Sequence, residues 1–137
     1  MFGTMASLDE ITYDHLCQLP GEDKLIEVFN ESDLIAMVNW TMIPYLTDVF
    51  NSFLEKVLPA CSKDRARTFF FDLADPAKRS QQDILEAMRV FARYQAHAEV
   101  TLGLNYNEAI QVSKVLGLNP QNEESSGLRQ MAQDIRN

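Results

Sequence analysis

The stretch Thr68-Phe69-Phe70-Phe71-Asp72-Leu73-Ala74-Asp75-Pro76-Ala77-Lys78-Arg79-Ser80 decides how this chain folds. A short aromatic run with no alternating polar partner suits a strand buried on both faces, the habit of parallel sheets. Asp72 to Arg79 then supplies two carboxylates and two cations around a turn at Asp75-Pro76. Ser80, with Asp83 three residues on, caps a long helix predicted from about Gln81 to Gln95. The stretch is one strand, one charged turn and one helix.

The same unit recurs on either side. Leu34-Ile35-Ala36-Met37-Val38 is an unbroken apolar run closed by Asn39-Trp40-Thr41. A helix is predicted from about Ile43 to Val57, with Pro44 in its first turn and Leu46, Val49, Phe50, Phe53, Leu54 and Val57 as its apolar stripe. Residues 61–67 read as a polar connection. Downstream, Ala98 to Leu102 is a third, weaker strand, and Asn105 opens a helix to about Leu116 that Gly117 ends. Upstream, Ser7-Leu8-Asp9-Glu10 has capping-box form ahead of a helix to Gln18, and a second helix spans about Glu22 to Asn30. Asn119 to Ser126 is a polar loop before a last amphipathic helix, about Leu128 to Ile135.

Alternating strands and helices imply α/β architecture with parallel strands near 34–38, 67–73 and 98–103. Right-handed crossovers place the helices on the sheet faces, and ligands meet the carboxyl ends of the strands. Three polar clusters fall there: Asn39-Trp40-Thr41, Asp72 to Arg79 and Gly103 to Glu108. Asn39, Asp72 and Asn105 are therefore predicted along one edge of the sheet.

Composition excludes several classes. The 137 residues are 46% hydrophobic and 23% charged, an ordinary globular balance for one domain or part of one. A net charge of −8 with no basic run argues against binding a phosphate backbone, so no nucleic-acid partner is expected. The run Leu34 to Val38 falls far below the roughly 20 residues needed to cross a bilayer, and Met1-Phe2-Gly3-Thr4 lacks the basic start of a secretory signal. Cys17 and Cys61 have no CxxC spacing and read as reduced thiols of a cytoplasmic protein. GxxxxGK[ST], GxGxxG, GxSxG and HExxH are absent. His15 and His97 have no partners nearby in sequence, and no Cys/His cluster exists for a metal.

Two segments each admit two readings. Asp72 to Arg79 is either a solvated loop or a site where carboxylates hold sugar hydroxyls or a cation while Lys78 and Arg79 neutralise phosphate. Asn105-Tyr106-Asn107-Glu108 is either a capping box or a helix N-terminus that favours phosphate, with a glutamate ordering water on a divalent cation.

Taken in order, four features resemble the middle of a PfkB-type, ribokinase-like carbohydrate kinase: Ser32 to Thr41, Phe70-Phe71-Asp72 with Asp75-Pro76-Ala77-Lys78-Arg79, the helix from Asp83, and Leu104 to Ala109. The resemblance implies a three-layer ribokinase-like α/β fold with a mostly parallel sheet. It implies phosphoryl transfer from ATP, with Mg²⁺, to a hydroxyl of a sugar or sugar-like molecule. It assigns Asn105 and Glu108, as the family's NxxE motif, to the phosphate and magnesium environment, with Glu108 acting on the metal through water. Asn39, Asp72, Asp75, Lys78 and Arg79 become candidate substrate or phosphate contacts, and either Asp72 or Asp75 corresponds to the family's aspartate.

The family's amino-terminal Gly-Gly motif and its carboxy-terminal GAGD motif, which carries the aspartate base and anion hole, have no counterpart here. The chain therefore reads as a central, partial domain that is inactive alone and contributes no catalytic residue. The alternative is a non-catalytic α/β fragment acting only as a structural or self-associating module. A cut-out piece leaves apolar surface uncovered, so a homo-oligomer is expected, with Met1, Phe2 and Met5 at one end and Leu128, Met131 and Ile135 at the other as the surfaces involved.

Overall fold

The computed structural model describes residues 8–18 and 20–118. Three strands, β1 (Leu34–Met37), β2 (Thr68–Asp72) and β3 (Glu99–Gly103), form one parallel sheet in the order β1-β2-β3. Leu34 pairs with Thr68 and Met37 with Phe71 on one side; Thr68 pairs with Glu99 and Asp72 with Gly103 on the other. The helices are α1 (Tyr13–Gln18), α2 (Glu22–Glu31), α3 (Leu46–Ser52), α4 (Gln81–Tyr94) and α5 (Tyr106–Val115). The predicted α/β class and the parallel sheet are both present.

The core lies on one face of the sheet because β2 sends every second side chain there. Phe69, Phe71 and Leu73 are completely buried. Phe50 of α3 meets Phe71 at a ring distance of 5.4 Å, and Phe91 of α4 stacks on Phe71 at 4.0 Å. Tyr94 of α4 and Phe29 of α2 meet Phe69 at 4.8 and 6.0 Å. The Tyr94 hydroxyl, buried among these rings, donates to the Phe50 carbonyl at 2.7 Å and ties α4 to α3.

The opposite face differs from the expectation of strands buried on both sides. Leu34 is 61% exposed, and Ala36, Glu99 and Thr101 are exposed, with Phe70 half-buried among them. The aromatic contacts of α2, α3 and α4 all fall on the Phe69–Phe71 face, so among the described residues only that face carries the aromatic core.

Element boundaries shift for local reasons. The helix predicted from Leu8 divides into a 3-10 turn at Leu8–Glu10 and α1, because the Thr12 hydroxyl accepts the His15 N–H at 3.3 Å and restarts the helix. The predicted Ile43–Val57 helix begins at Leu46, since Trp40–Met42 forms its own 3-10 turn. Beyond Ser52 it widens to a π turn at Phe53–Val57 and tightens to 3-10 at Leu58–Ala60, where Pro59 has no N–H to extend the ladder. The stripe from Leu46 to Val57 is nevertheless buried as predicted. The predicted cap at Ser7, the loop and helix beyond Leu118, and the apolar residues Met1, Phe2, Met5, Leu128, Met131 and Ile135 lie outside the described residues. No helix among the described residues is long and apolar enough to cross a membrane, and both cysteines are free.

Candidate functional site at the strand ends

Parallel strands deliver the residues that follow them to one edge. Asn39 lies two residues after β1, Asp72 closes β2, and Asn105 lies two residues after β3. Backbone strain gathers at the same edge. Asn39 (φ 61°), Ala74 (φ 56°) and Asp75 (φ 65°) are the non-glycine residues with left-handed backbone among those described. Side chains with a Cβ resist that region, and residues held there cluster where function requires a fixed geometry. Asp75 also precedes Pro76, whose ring favours an extended backbone at that position, so its conformation needs support from outside the turn.

That support comes from Glu108. Its carboxylate is buried, with the residue only 8% exposed. Oε1 accepts the Asp75 N–H at 3.0 Å and Oε2 accepts the Asn105 N–H at 2.9 Å, while the Asn105 side-chain oxygen accepts the Glu108 N–H at 3.0 Å. The capping-box reading of Asn105-x-x-Glu108 is therefore realised, and the same glutamate also reaches across to the end of β2. On the other side the Thr41 N–H donates to the Leu73 carbonyl at 3.0 Å, joining the turn after β1 to the end of β2. The ends of all three strands are thus linked. The Thr41 hydroxyl is buried in this rim without a hydrogen-bond partner.

The remaining predicted site residues divide. Lys78 forms an exposed pair with Asp75, Nζ to carboxylate 3.5 Å, and both side chains stand open at the rim. Arg79, a predicted phosphate contact, is engaged by the protein itself. Its Nε lies 3.3 Å from the Asp83 carboxylate, and Nη1 and Nη2 donate to the Trp40 and Pro44 carbonyls at 3.4 and 3.3 Å. Its guanidinium also stacks over the buried Trp40 ring at 4.5 Å. Arg79 fastens the β1 turn to the start of α4. Burial works to raise the Asp83 pKa, but hydrogen bonds from Ser80 and Arg79 and the Arg79 charge outweigh it and hold the carboxyl below its usual value. Asp72 ends β2 on the Phe70 side, opposite Gly103. Gly103 leaves the space that Phe70 fills: a Cβ there would stand 2.7 Å from the Phe70 ring.

Sequence reasoning missed the reach of Glu108 to Asp75, the Trp40–Arg79 stack and the orphaned Thr41 hydroxyl. The first two are contacts across 33 and 39 residues of chain, which no local pattern encodes.

The described residues contain no group of three or more His, Cys, Asp and Glu side chains poised as a direct metal cage. Each Glu108 oxygen accepts one N–H and retains a second acceptor direction. No family model, curated protein or solved structure matches the chain.

Proposed function

We propose that this chain is the central part of an ATP-dependent carbohydrate kinase with a three-layer, ribokinase-like fold. The complete protein transfers the γ-phosphoryl group to a hydroxyl of a sugar or sugar-like molecule, with ATP and Mg²⁺ as cofactors, in the cytoplasm. One observation carries the reading. The Asp75 N–H to Glu108 hydrogen bond joins, at the carboxyl edge of a parallel sheet, two of the four segments on which the family resemblance rests. Phosphoryl transfer needs positioned charge more than covalent chemistry. A rim with fixed backbone, Asn39, Asp72, Asp75 and Lys78 at the edge, and Glu108 able to order a magnesium-bound water supplies part of that. The aspartate base and the anion hole belong to the GAGD motif, which this chain lacks. The reading predicts that the encoding transcript continues in frame into a Gly-Gly motif upstream and a GAGD motif downstream. A transcript with stop codons flanking these 137 residues refutes it.

The second reading, a non-catalytic self-associating module, is favoured by the open sheet face around Leu34, Ala36 and Phe70. Sedimentation equilibrium at micromolar concentration separates the two: a dimer weakened by Leu34→Asp supports the module, and a monomer removes its basis.

A further inference from the structure

We infer that Glu108 is a positioning residue that fixes the strained Ala74–Asp75 turn, and that its length, one methylene more than aspartate, is what this role requires. The chain contains its own control. At the start of α4 the same capping box is built with an aspartate: Asp83 accepts the Ser80 N–H at 3.4 Å and donates its own N–H to the Ser80 hydroxyl at 3.0 Å. An aspartate therefore suffices to cap a helix in this fold, even while the same oxygen takes Arg79, a neighbour only four residues away, at 3.3 Å. At α5 the carboxylate performs two tasks at once. One oxygen closes the cap on Asn105, and the other extends to the N–H of Asp75, 33 residues away along the chain.

The second task has a physical reason. Ala74 and Asp75 are consecutive left-handed residues, and Pro76 opposes the conformation of Asp75 further. A buried, charged acceptor makes a stronger hydrogen bond than a neutral carbonyl, and among the described residues Glu108 is the partner that holds the Asp75 N–H in that shape. The turn so held carries Asp75 and Lys78 at the open rim. That Glu108 thereby acts on phosphoryl transfer through Asp75 rests on the kinase reading; the hydrogen bond and its effect on the turn do not.

The test is amide hydrogen exchange and ¹H–¹⁵N spectroscopy on the full chain and two variants. In the unaltered protein a scalar coupling across the hydrogen bond links the Asp75 nitrogen to the Glu108 side-chain carboxyl carbon. Glu108→Asp keeps the Asn105 amide protected and accelerates exchange at Asp75 by roughly 10- to 100-fold, the loss expected for a hydrogen bond to a charged group. It also moves the Asp75 amide resonance, while Phe69 and Phe71 amides in β2 are unchanged. Glu108→Gln, which presents an NH₂ group to one of the two donors, accelerates at least one of the two amides. Absence of the coupling in the unaltered protein overturns the inference even if both variants fail to fold. So does Asp75 protection that survives Glu108→Asp. Absence of the coupling would also remove the contact on which the kinase reading stands, whereas Asp75 protection that survives Glu108→Asp leaves that reading untouched.

Discussion

Replacing Arg67 by methionine should cost this fold about 3–4 kcal/mol, much of the 5–15 kcal/mol available to a domain. Arg67 immediately precedes β2 and is only 7% exposed. Its Nε donates to the Phe29 carbonyl at 2.7 Å, Nη1 to the Ser62 carbonyl at 3.1 Å and Nη2 to the Asn30 side-chain oxygen at 3.1 Å. One guanidinium thus gathers the end of α2 and the 61–67 connection around the first residue of the sheet. Methionine keeps the stem and its packing but strands the Phe29 and Ser62 carbonyls, while the Asn30 oxygen keeps only the Ser62 N–H at 2.8 Å. A hydrogen bond to a charged donor contributes about 1.5–3 kcal/mol net. The full sum is not reached, because Ser62 is exposed and water can replace one partner. Buried ion pairs can often be exchanged for apolar residues without loss. Among the described residues no carboxylate pairs with Arg67, so that exchange removes no second charge and leaves two carbonyl oxygens without their donor.

Trp40, the single tryptophan and fully buried, reports unfolding by fluorescence in a urea titration. Arg67→Lys, able to replace one contact of three, should fall about midway between wild type and Arg67→Met. The Arg67/Asn30 double-mutant cycle should show coupling of about 0.5–3 kcal/mol. A loss below about 0.5 kcal/mol for Arg67→Met, the level of an ordinary surface change, refutes the reasoning. By contrast the exposed Arg65–Asp33 pair, at 2.7 Å, should contribute under about 1 kcal/mol.

Gly103→Ala places a Cβ 2.7 Å from the far end of the half-buried Phe70 ring, which must turn aside toward the open face, and should cost at most about 1 kcal/mol, recovered by adding Phe70→Leu; a loss well above that in urea midpoints contradicts the open face. The Asp83 pKa is depressed in the fold, so its stabilising contribution is complete above the unfolded value near 3.9 and is lost as pH falls through the lower folded value; Asp83→Asn should flatten the acid side of a stability–pH curve, and an unchanged slope counts against the Arg79–Asp83 link. Burial pushes the Cys61 thiol up against the opposing pull of Arg67, so Cys61 should react with a thiol reagent at neutral pH more slowly than the less buried Cys17, and the opposite order in peptide mapping contradicts the packing.

The elements of this fold were legible where one local force dominated. Three apolar runs became three parallel strands, and Ser80 with Asp83 became a capping box, because both signals lie within a few residues of chain. The edge carrying Asn39, Asp72 and Asn105 followed from parallel topology alone. What stayed hidden depends on distance along the chain. Arg67 read as part of a polar connection, yet its partners Phe29 and Asn30 lie in α2. Arg79 read as a possible phosphate contact, and its donations to the Trp40 and Pro44 carbonyls were not legible in the local sequence. Glu108 read as a cap or a magnesium neighbour, and its hold on Asp75 was invisible because nothing in Asn-x-x-Glu specifies a third partner. Leu34 and Ala36 read as buried on both sides, since an apolar run encodes a preference for burial but not the element that supplies it.

The central claim is that the rim formed by Asp75, Asn105 and Glu108 belongs to a sugar-phosphorylating enzyme. The most direct measurement is Mg²⁺-dependent ATP consumption by the product of the whole reading frame, screened across a panel of sugars and nucleosides, with the 137-residue chain assayed alongside. The account predicts turnover with at least one sugar-like acceptor, a large loss on Glu108→Gln, and no turnover by the 137-residue chain, because the proposed family's base and anion hole, commonly worth on the order of 10²-fold or more each, sit in a motif with no counterpart in it. ATP-dependent phosphorylation by the 137-residue chain itself, or no acceptor for the whole product across the panel, would contradict it.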